Sequence, residues 1–172
     1  MRRYVVKNLI LPTVVADKGD AKLVNKSERA FKIRSAQPED EESIRSLLSE
    51  FKLPLEGLEN TKMWVLEGNN GNVVGTAGLE VWGKTGLLRS VAISKILHNR
   101  GYGTSLVRHV VNEARKCDIS ELFLLTETAQ AFFQRFGFGK SDRACVSGSI
   151  ANSAEFKGAC PKTAVLMSLN IE

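Results

Sequence analysis

A glycine-rich turn at residues 98–105, His-Asn-Arg-Gly-Tyr-Gly-Thr-Ser, is the feature that most restricts how this chain folds. It follows an apolar segment at 87–93 and precedes apolar residues at 106, 107, 110, 111 and 114, the spacing of one helix face. The turn therefore joins a strand to a long helix. Gly101 and Gly103 permit a tight turn and a close approach of the backbone to a ligand.

The start of such a helix is a candidate anion site. Its first N–H groups have no partner within the helix, and the helix dipole places partial positive charge there. A pyrophosphate fits this environment, and a neighbouring arginine adds a charge-assisted contact. An ordinary glycine-containing turn is the alternative. The predicted phosphate-binding residues are Asn99, Arg100, Gly101, Tyr102, Gly103, Thr104 and Ser105.

The surrounding pattern is typical of an α/β domain with a mixed sheet. Glycine- and asparagine-rich connections at 68–72 and 83–86 suit hairpins, so the strands on either side of them are predicted to be antiparallel. Alternation and helical spacing predict the order β-α-β-β-β-α-β-α-β-β at residues 31–34, 38–51, 63–67, 73–82, 87–93, 106–114, 121–126, 129–136, 143–146 and 164–169.

Composition limits the classes of protein. Of 172 residues, 43% are hydrophobic and 25% charged, the balance of a globular domain. No apolar run approaches the roughly 20 residues that span a bilayer, so no membrane or secretory segment is predicted. The net charge of +5 is scattered, which argues against nucleic acid binding. Three cysteines without a C-x-x-C pair predict reduced thiols in the cytoplasm and no metal site.

Residues 1–30 differ in character from the rest and are interpreted as an N-terminal extension of unknown role, with the compact domain at 31–172. A Walker-like match by letter at 78–85 falls on a predicted strand and hairpin rather than on a loop that opens a helix, so it is interpreted as chance. A dinucleotide fold is also disfavoured, because no third glycine follows Gly103 at the required spacing.

The turn resembles motif A of the GNAT superfamily of acetyltransferases, Gln/Arg-x-x-Gly-x-Gly/Ala. His98 stands at the Gln/Arg position, and Gly101 and Gly103 stand at the two small-residue positions. The resemblance implies that acetyl-CoA is the acyl donor and that the turn holds its pyrophosphate. It also implies that Val91, Ala92 and Ile93 of the preceding strand run along the pantetheine arm, and that an N–H near Val91 or Ala92 stabilises the oxyanion.

Residues 126–138 resemble motif B of the same superfamily, usually Asn-x-x-Ala-x-x-Leu/Phe-Tyr-x-x-x-Gly-Phe. Thr126 stands in the place of Asn, and Phe133 in the place of the Tyr that protonates the departing thiolate in many relatives. Thr126, Phe132 and Phe133 are therefore predicted to contact the coenzyme. The resemblance implies a mixed, mostly antiparallel sheet of about seven strands flanked by about four helices, with strands four and five splayed apart, and it implies a homodimer.

Residues 31–170 are similar to the arsenic-resistance N-acetyltransferase branch in five short segments. The acceptor implied is a small-molecule amine, including an arsenical resembling glutamate. A protein N-terminus or lysine is the second enzymatic alternative, and a non-catalytic acyl-CoA-binding module is the third. The segments are residues 78–80, 86–92, 124–129, 153–156 and 160–164.

Two charged residues are the main candidates on the acceptor side. A hairpin at 83–86 places Glu80 and Arg89 on adjacent strands. One interpretation assigns Arg89 to a substrate carboxylate and Glu80 to the role of base; the other is a cross-strand ion pair without a chemical role. Further predicted acceptor contacts are Ser90, Thr126 and Thr128, with Arg143 and Glu155 as pocket walls, and capping of the next helix is the alternative for Thr128.

Overall fold

The computed structural model describes residues 31–146 and 148–171. The predicted extension at 1–30 lies outside the described residues. Among those described, no helix has both the length and the apolar character needed to cross a membrane.

Within residues 31–146 and 148–171, seven strands form one sheet, and three α-helices and one π-helical segment pack on it. The order of strands across the sheet is β1-β2-β3-β4-β5-β7-β6. The strands are β1 Lys32–Ser35, β2 Lys62–Glu67, β3 Val73–Trp82, β4 Thr85–Ile93, β5 Glu121–Thr126, β6 Gly139–Lys140 and β7 Val165–Asn170. The helices are α1 Glu41–Glu50, α2 Tyr102–Lys116, α3 Gln130–Gln134 and the π-helical segment Glu155–Ala159.

The predicted hairpins and the predicted fold class are confirmed. β2, β3 and β4 pair in antiparallel fashion, whereas β4 and β5 run parallel. Gly83, with φ 63°, turns β3 into β4 where Trp82 pairs with Thr85. The Walker-like segment lies in this hairpin, as expected for a chance match.

The predicted strand at 143–146 is wrong. Arg143–Cys145 is a 3-10 turn, and the short edge strand is β6, which pairs with β7 at Ser168 and Met167. The Asp142 side chain accepts a bond from the Ala144 N–H at 2.9 Å, which closes the turn locally and competes with strand pairing. The alternation of residue types does not indicate that this bond forms.

The two faces of the sheet carry separate apolar clusters. The α2 stripe, which includes Leu106 and Val110, packs on Leu88 and Leu124. On the opposite face, α1 packs through Leu48 on Val65 and Ala92. A third cluster joins Leu87 to Phe123 and Ile150 and brings the segment after residue 147 onto the sheet.

The predicted splay between strands four and five is present. β4 and β5 pair only at Thr85, Gly86 and Leu87, opposite Glu121, Leu122 and Phe123. Beyond these positions the two strands separate, while β5 remains paired with β7 along its whole length. The two strands are therefore unpaired with each other towards their carboxyl ends, and the space between them there is called the gap.

A bulge in β4 accompanies the separation. The register with β3 shifts between Thr76–Ala92 and Gly78–Arg89, so Ser90 and Val91 together oppose Ala77. Ser90 has φ 54°, a left-handed conformation that is uncommon outside glycine. The bulge lies on the part of β4 that no longer pairs with β5, and because a bulge bends its strand and increases the local twist, it favours the separation that begins beyond Leu87.

Candidate active site

The start of α2 has the geometry of an anion site. Gly101 is its N-cap with φ 86°, and a side chain carbon added there would meet nothing within 4 Å. The Ser105 N–H donates to the Gly101 carbonyl at 3.0 Å, the first intrahelical bond. The N–H groups of residues 102–104 precede this bond and point out of the helix start. Three amides are thus available to a diphosphate.

The side chains flanking this turn differ in their availability. Arg100 is exposed. The Ser105 hydroxyl donates to the Gly101 carbonyl at 3.3 Å. His98 Nε2 lies 2.7 Å from the Ile93 carbonyl, and its ring stacks on Phe51 at 5.8 Å. His98 is therefore engaged by the end of β4, and its predicted contact with the ligand stays a prediction.

Gly103 lies at the base of the gap. A side chain carbon there would lie 3.5 Å from Phe132 and 3.7 Å from Ile93. Phe132 packs edge-on against Phe133, with ring centroids 5.0 Å apart. The structure thus brings the predicted coenzyme contacts of β4, α2 and α3 to one place.

The end of β5 forms the other side of the gap. The Thr126 hydroxyl accepts a bond from the Ala129 N–H at 3.0 Å and closes the turn that leads into α3. Ala129 is the N-cap of α3, with no side-chain bond to the helix, so the alternative of Thr128 as its cap is wrong. Phe133 is 7% exposed and has no hydroxyl to donate. Phe133 therefore cannot play the part of the tyrosine of motif B as a proton donor.

The bulge places the predicted oxyanion residues beside the gap. Val91 and Ala92 follow Ser90 on the part of β4 that β5 does not cover. Ser90 is 7% exposed, and its hydroxyl is buried without a hydrogen-bond partner among the described residues. Left-handed backbone and an unsatisfied hydroxyl both cost free energy, and such features concentrate at functional positions.

Arg89 is the centre of a buried charged cluster on the face opposite α2. Its side chain is 0% exposed and pairs with Glu80 through Nη1. Nη2 donates to the Glu56 carbonyl at 2.7 Å, and Nε lies 3.2 Å from the Glu155 carboxylate. The predicted cross-strand pair is present. It is a diagonal pair, because Arg89 opposes Gly78 and Glu80 opposes Leu87.

Glu80 is held by a further donor. Trp82 Nε1 donates to it at 3.3 Å, and Thr61 Oγ1, which donates to the Gly57 carbonyl at 2.8 Å, lies 3.4 Å from it. The carboxylate is 2% exposed. In this arrangement both oxygens face protein donors, and its predicted action as a base stays a prediction that requires water to reach it.

Two contributors to this cluster were missed from the sequence. The Glu56 carbonyl meets Arg89, and Gly57, with φ 82°, lies so close that an added carbon would be 2.8 Å from Arg89 Nη1. The sequence Glu56-Gly57 after Pro54 is typical of a turn, so a turn could have been predicted here. The sequence does not show which residues such a turn contacts.

Glu155 has a perturbed environment. Burial raises its pKa to about 7, while Arg89 and a hydrogen bond from Cys160 act to lower it and Glu80 acts to raise it. Burial also raises the pKa of the Cys160 thiol to about 12. Cys160 is therefore a neutral packing residue. The attraction of Arg89 does not offset the cost of burying the Glu155 carboxylate.

Together these elements define a class of site. Two parallel strands part to receive a long ligand, and a helix start beside them receives its anionic end. Residues 27–138 match the Acetyltransferase (GNAT) family. The chain belongs to this family, which confirms the resemblance in motifs A and B and the prediction of an acyltransferase.

Similar proteins act on amino acids, as their names state. An amino-acid acetyltransferase of Mycobacterium tuberculosis is 29% identical over 129 residues, which cover 69% of this chain and 74% of that protein. An amino-acid acetyltransferase of Neisseria meningitidis serogroup A is 33% identical over 87 residues, which cover 48% of this chain and 20% of that protein.

Similar solved structures contain coenzyme A. N-acetylglutamate synthase from Neisseria gonorrhoeae, complexed with coenzyme A and N-acetyl-glutamate, superposes with a TM-score of 0.71 at 26% identity, covering 84% of this chain and 36% of that one. A Mycobacterium tuberculosis protein in complex with CoA superposes with a TM-score of 0.67 at 27% identity, covering 81% and 98%. This chain thus corresponds to one part of the longer Neisseria proteins.

Proposed function

We propose that this chain transfers the acetyl group of acetyl-CoA to the amino group of a small carboxylate-bearing molecule, an amino acid or a close analogue. The observation that carries the proposal is the gap between β4 and β5 beside the glycine-bounded start of α2. Solved structures similar to this one contain coenzyme A, and their topology supports the same donor here.

Each part of the site has a separate role in binding the donor or stabilising the reaction. The amides of residues 102–104 hold the diphosphate, and the exposed β4 segment runs along the pantetheine arm. The N–H of Val91 or Ala92 donates to the thioester oxygen as it gains negative charge. Holding the two reactants in line supplies much of the rate, with roughly 7–11 kcal/mol available from orientation.

The reaction balances with one proton lost and one gained. The neutral amine nitrogen forms a bond to the thioester carbonyl carbon, and the carbon–sulfur bond breaks. The proton released from nitrogen passes to Glu80 through a water, in line with the first of the two interpretations of this residue. Because Phe133 supplies no proton, the thiolate takes one from solvent.

The acceptor side favours an anionic substrate. Arg89 is a buried cation two residues before Val91, and the amide of Val91 or Ala92 is assigned to the thioester. A carboxylate bound to Arg89 therefore brings the attached amine close to the carbonyl carbon. The five segments shared with the arsenic-resistance branch support an arsenic-bearing glutamate analogue as one acceptor within this class.

Wider features of the proposal rest on the sequence. The catalytic domain comprises residues 31–172, works in the cytoplasm as a homodimer and acts on neither nucleic acid nor membrane. The scattered charge supports the absence of a nucleic acid partner, and the lack of a C-x-x-C pair supports reduced thiols in the cytoplasm.

The experiment is an acetyl-transfer assay that records thiol release over a matched acceptor panel. Each amino acid is paired with its decarboxylated amine, for example L-leucine with 3-methylbutylamine and L-tyrosine with tyramine, and glutamate analogues with arsenic or phosphorus side groups are included. We expect at least about tenfold higher kcat/KM for the carboxylate-bearing member of the best pair, the ratio for a lost charged contact of roughly 1.4 kcal/mol. Equal turnover of both members contradicts the acceptor class. Absence of coenzyme A binding in calorimetry contradicts the function itself.

A further inference from the structure

Arg89 is surrounded by partners from the protein itself. Its three nitrogen atoms face Glu80, the Glu56 carbonyl and Glu155, and its side chain is 0% exposed. A substrate carboxylate therefore reaches Arg89 only if one of these partners leaves. The structure makes one of these three partners easier to displace than the other two.

Glu155 is the weakest of the three partners. Its oxygen lies 3.2 Å from Nε, but the Nε–H does not align with any acceptor among the described residues. The other two partners bond to Nη1 and Nη2 with hydrogen-bond geometry. Glu80 lies on β3, within the sheet, and also accepts a bond from Trp82 Nε1.

The segment that carries Glu155 is irregular. It consists of the 3-10 helix Gly148–Asn152 and the π-helical segment Glu155–Ala159, rather than a strand of the sheet. Gly148 has φ 77° and Gly158 has φ 124°, so left-handed glycines stand on both sides of Glu155. Segments with few ladder bonds open at lower free energy than central strands.

The charges do not balance when both carboxylates are ionised. One guanidinium then faces Glu80 and Glu155, and the titratable groups around Glu155 are Arg89, Glu80 and Cys160, with Arg143 facing Cys160. Since the pKa of Glu155 is raised to about 7, its neutral form is well populated near neutral pH. A neutral Glu155 no longer competes as an anion for Arg89.

We infer that Glu155 is a specificity-determining residue. Its carboxylate occupies the position beside Arg89 that the carboxylate of the acceptor takes when the acceptor binds. This inference rests on the proposed function and assigns Glu155 the part of an internal competitor. Substrate binding exchanges one carboxylate for another at Nε, while Glu80 stays paired with Nη1, so the number of carboxylates facing Arg89 does not change. An amine without an anionic group cannot make this exchange.

Glu155→Gln tests the competition, because it keeps the shape and removes the charge. If only the form with neutral Glu155 admits the acceptor, the apparent KM is divided by the fraction of that form. For a pKa of about 7, this fraction is roughly 1/11 at pH 8 and roughly 10/11 at pH 6. For the best amino acid acceptor, the KM of the wild type should therefore be about ten times that of the variant at pH 8. At pH 6 the two KM values should be nearly equal.

Titration of the acceptor amine affects both proteins equally, so the ratio of the two KM values isolates Glu155. The KM for acetyl-CoA is expected to stay the same. Glu41→Gln, which removes a surface carboxylate paired with Arg45, is the matched control and should leave every constant unchanged. A KM ratio near one at both pH values overturns the inference.

A second measurement needs no acceptor. Glu155→Ala leaves a carboxylate-sized space beside Arg89 Nε, and sodium acetate is the probe. Acetate at ten times its dissociation constant should raise the Tm of this variant by roughly 3–6 °C over sodium chloride at equal ionic strength. The wild type, whose own carboxylate fills the space, should show no such difference.

The two measurements separate the two proposals. If no amine is acetylated but acetate stabilises Glu155→Ala, the acceptor function fails and the carboxylate position beside Arg89 stands. If amino acids are acetylated but acetate has no effect on Glu155→Ala, the function stands and the inference fails.

Discussion

Gly103→Glu is the substitution that tests the diphosphate site most directly. An added carbon at residue 103 lies 3.5 Å from Phe132 and 3.7 Å from Ile93, which are ordinary van der Waals contacts. Gly103 does not have positive φ. The folded chain therefore accepts a side chain here, so any loss of coenzyme A binding reports on the ligand rather than on the fold.

The magnitude follows from charge. Gly103 is the second residue of α2, so its side chain starts beside the amides assigned to the diphosphate. Two like charges at roughly 5 Å, with an effective dielectric constant of roughly 20–80, repel by about 1–3 kcal/mol. This corresponds to roughly a 5- to 150-fold increase in the dissociation constant for coenzyme A.

Isothermal titration calorimetry with coenzyme A measures this change. Gly139→Glu is the control, because its side chain enters open space and adds the same charge on edge strand β6. Gly103→Ala completes the series. Replacing a helical glycine by alanine should raise the free energy of unfolding by about 0.5–1 kcal/mol, so the Tm should stay the same or rise. Equal affinities for Gly103→Glu and Gly139→Glu, with both folded, would refute the assignment of the diphosphate to this helix start.

Two further predictions concern stability. Ser90→Gly should raise the free energy of unfolding by about 1 kcal/mol in urea denaturation, because it removes a buried unpartnered hydroxyl and a left-handed non-glycine residue; a loss of stability would show that Ser90 makes a compensating contact. Asp40→Asn should lower stability at pH 7 by about 1–2 kcal/mol, since Arg34 donates to this carboxylate at 2.6 and 3.0 Å and holds its pKa below the usual value. That contribution is present above the unfolded pKa of about 3.9 and disappears as pH falls through the folded pKa, so the difference between the two proteins should vanish in acid. A constant difference from pH 7 to pH 2 would contradict this assignment.

Local patterns predicted the elements that depend on local chemistry. The glycines at 101 and 103, the apolar stripe of α2 and the hairpin at 83–86 each reflect backbone conformation or burial within one element, so they could be read from spacing. The same reasoning failed at 143–146 and at Thr128. In both places a side-chain-to-backbone bond, from Asp142 or Thr126, closes a turn that residue types alone do not reveal.

The candidate site required knowledge of long-range contacts. Glu80 and Arg89 could be placed on adjacent strands because one hairpin joins them. The Glu56 carbonyl and Glu155 lie 33 and 66 residues from Arg89, and no periodicity relates them to it. Their meeting depends on how the 51–61 loop and the 148–160 segment pack on the sheet.

By itself, the sequence determined an α/β chain with a helix start suited to a diphosphate, because turn chemistry and hydrophobic period act over a few residues. The family resemblance implied that β4 and β5 part, but only the tertiary structure decided that they do so beyond Leu87 and Phe123, and that Arg89 is buried between two carboxylates. The physical reason is that desolvation and ion pairing depend on which distant surfaces meet. A carboxylate such as Glu155 acquires its unusual pKa only when the fold removes it from water.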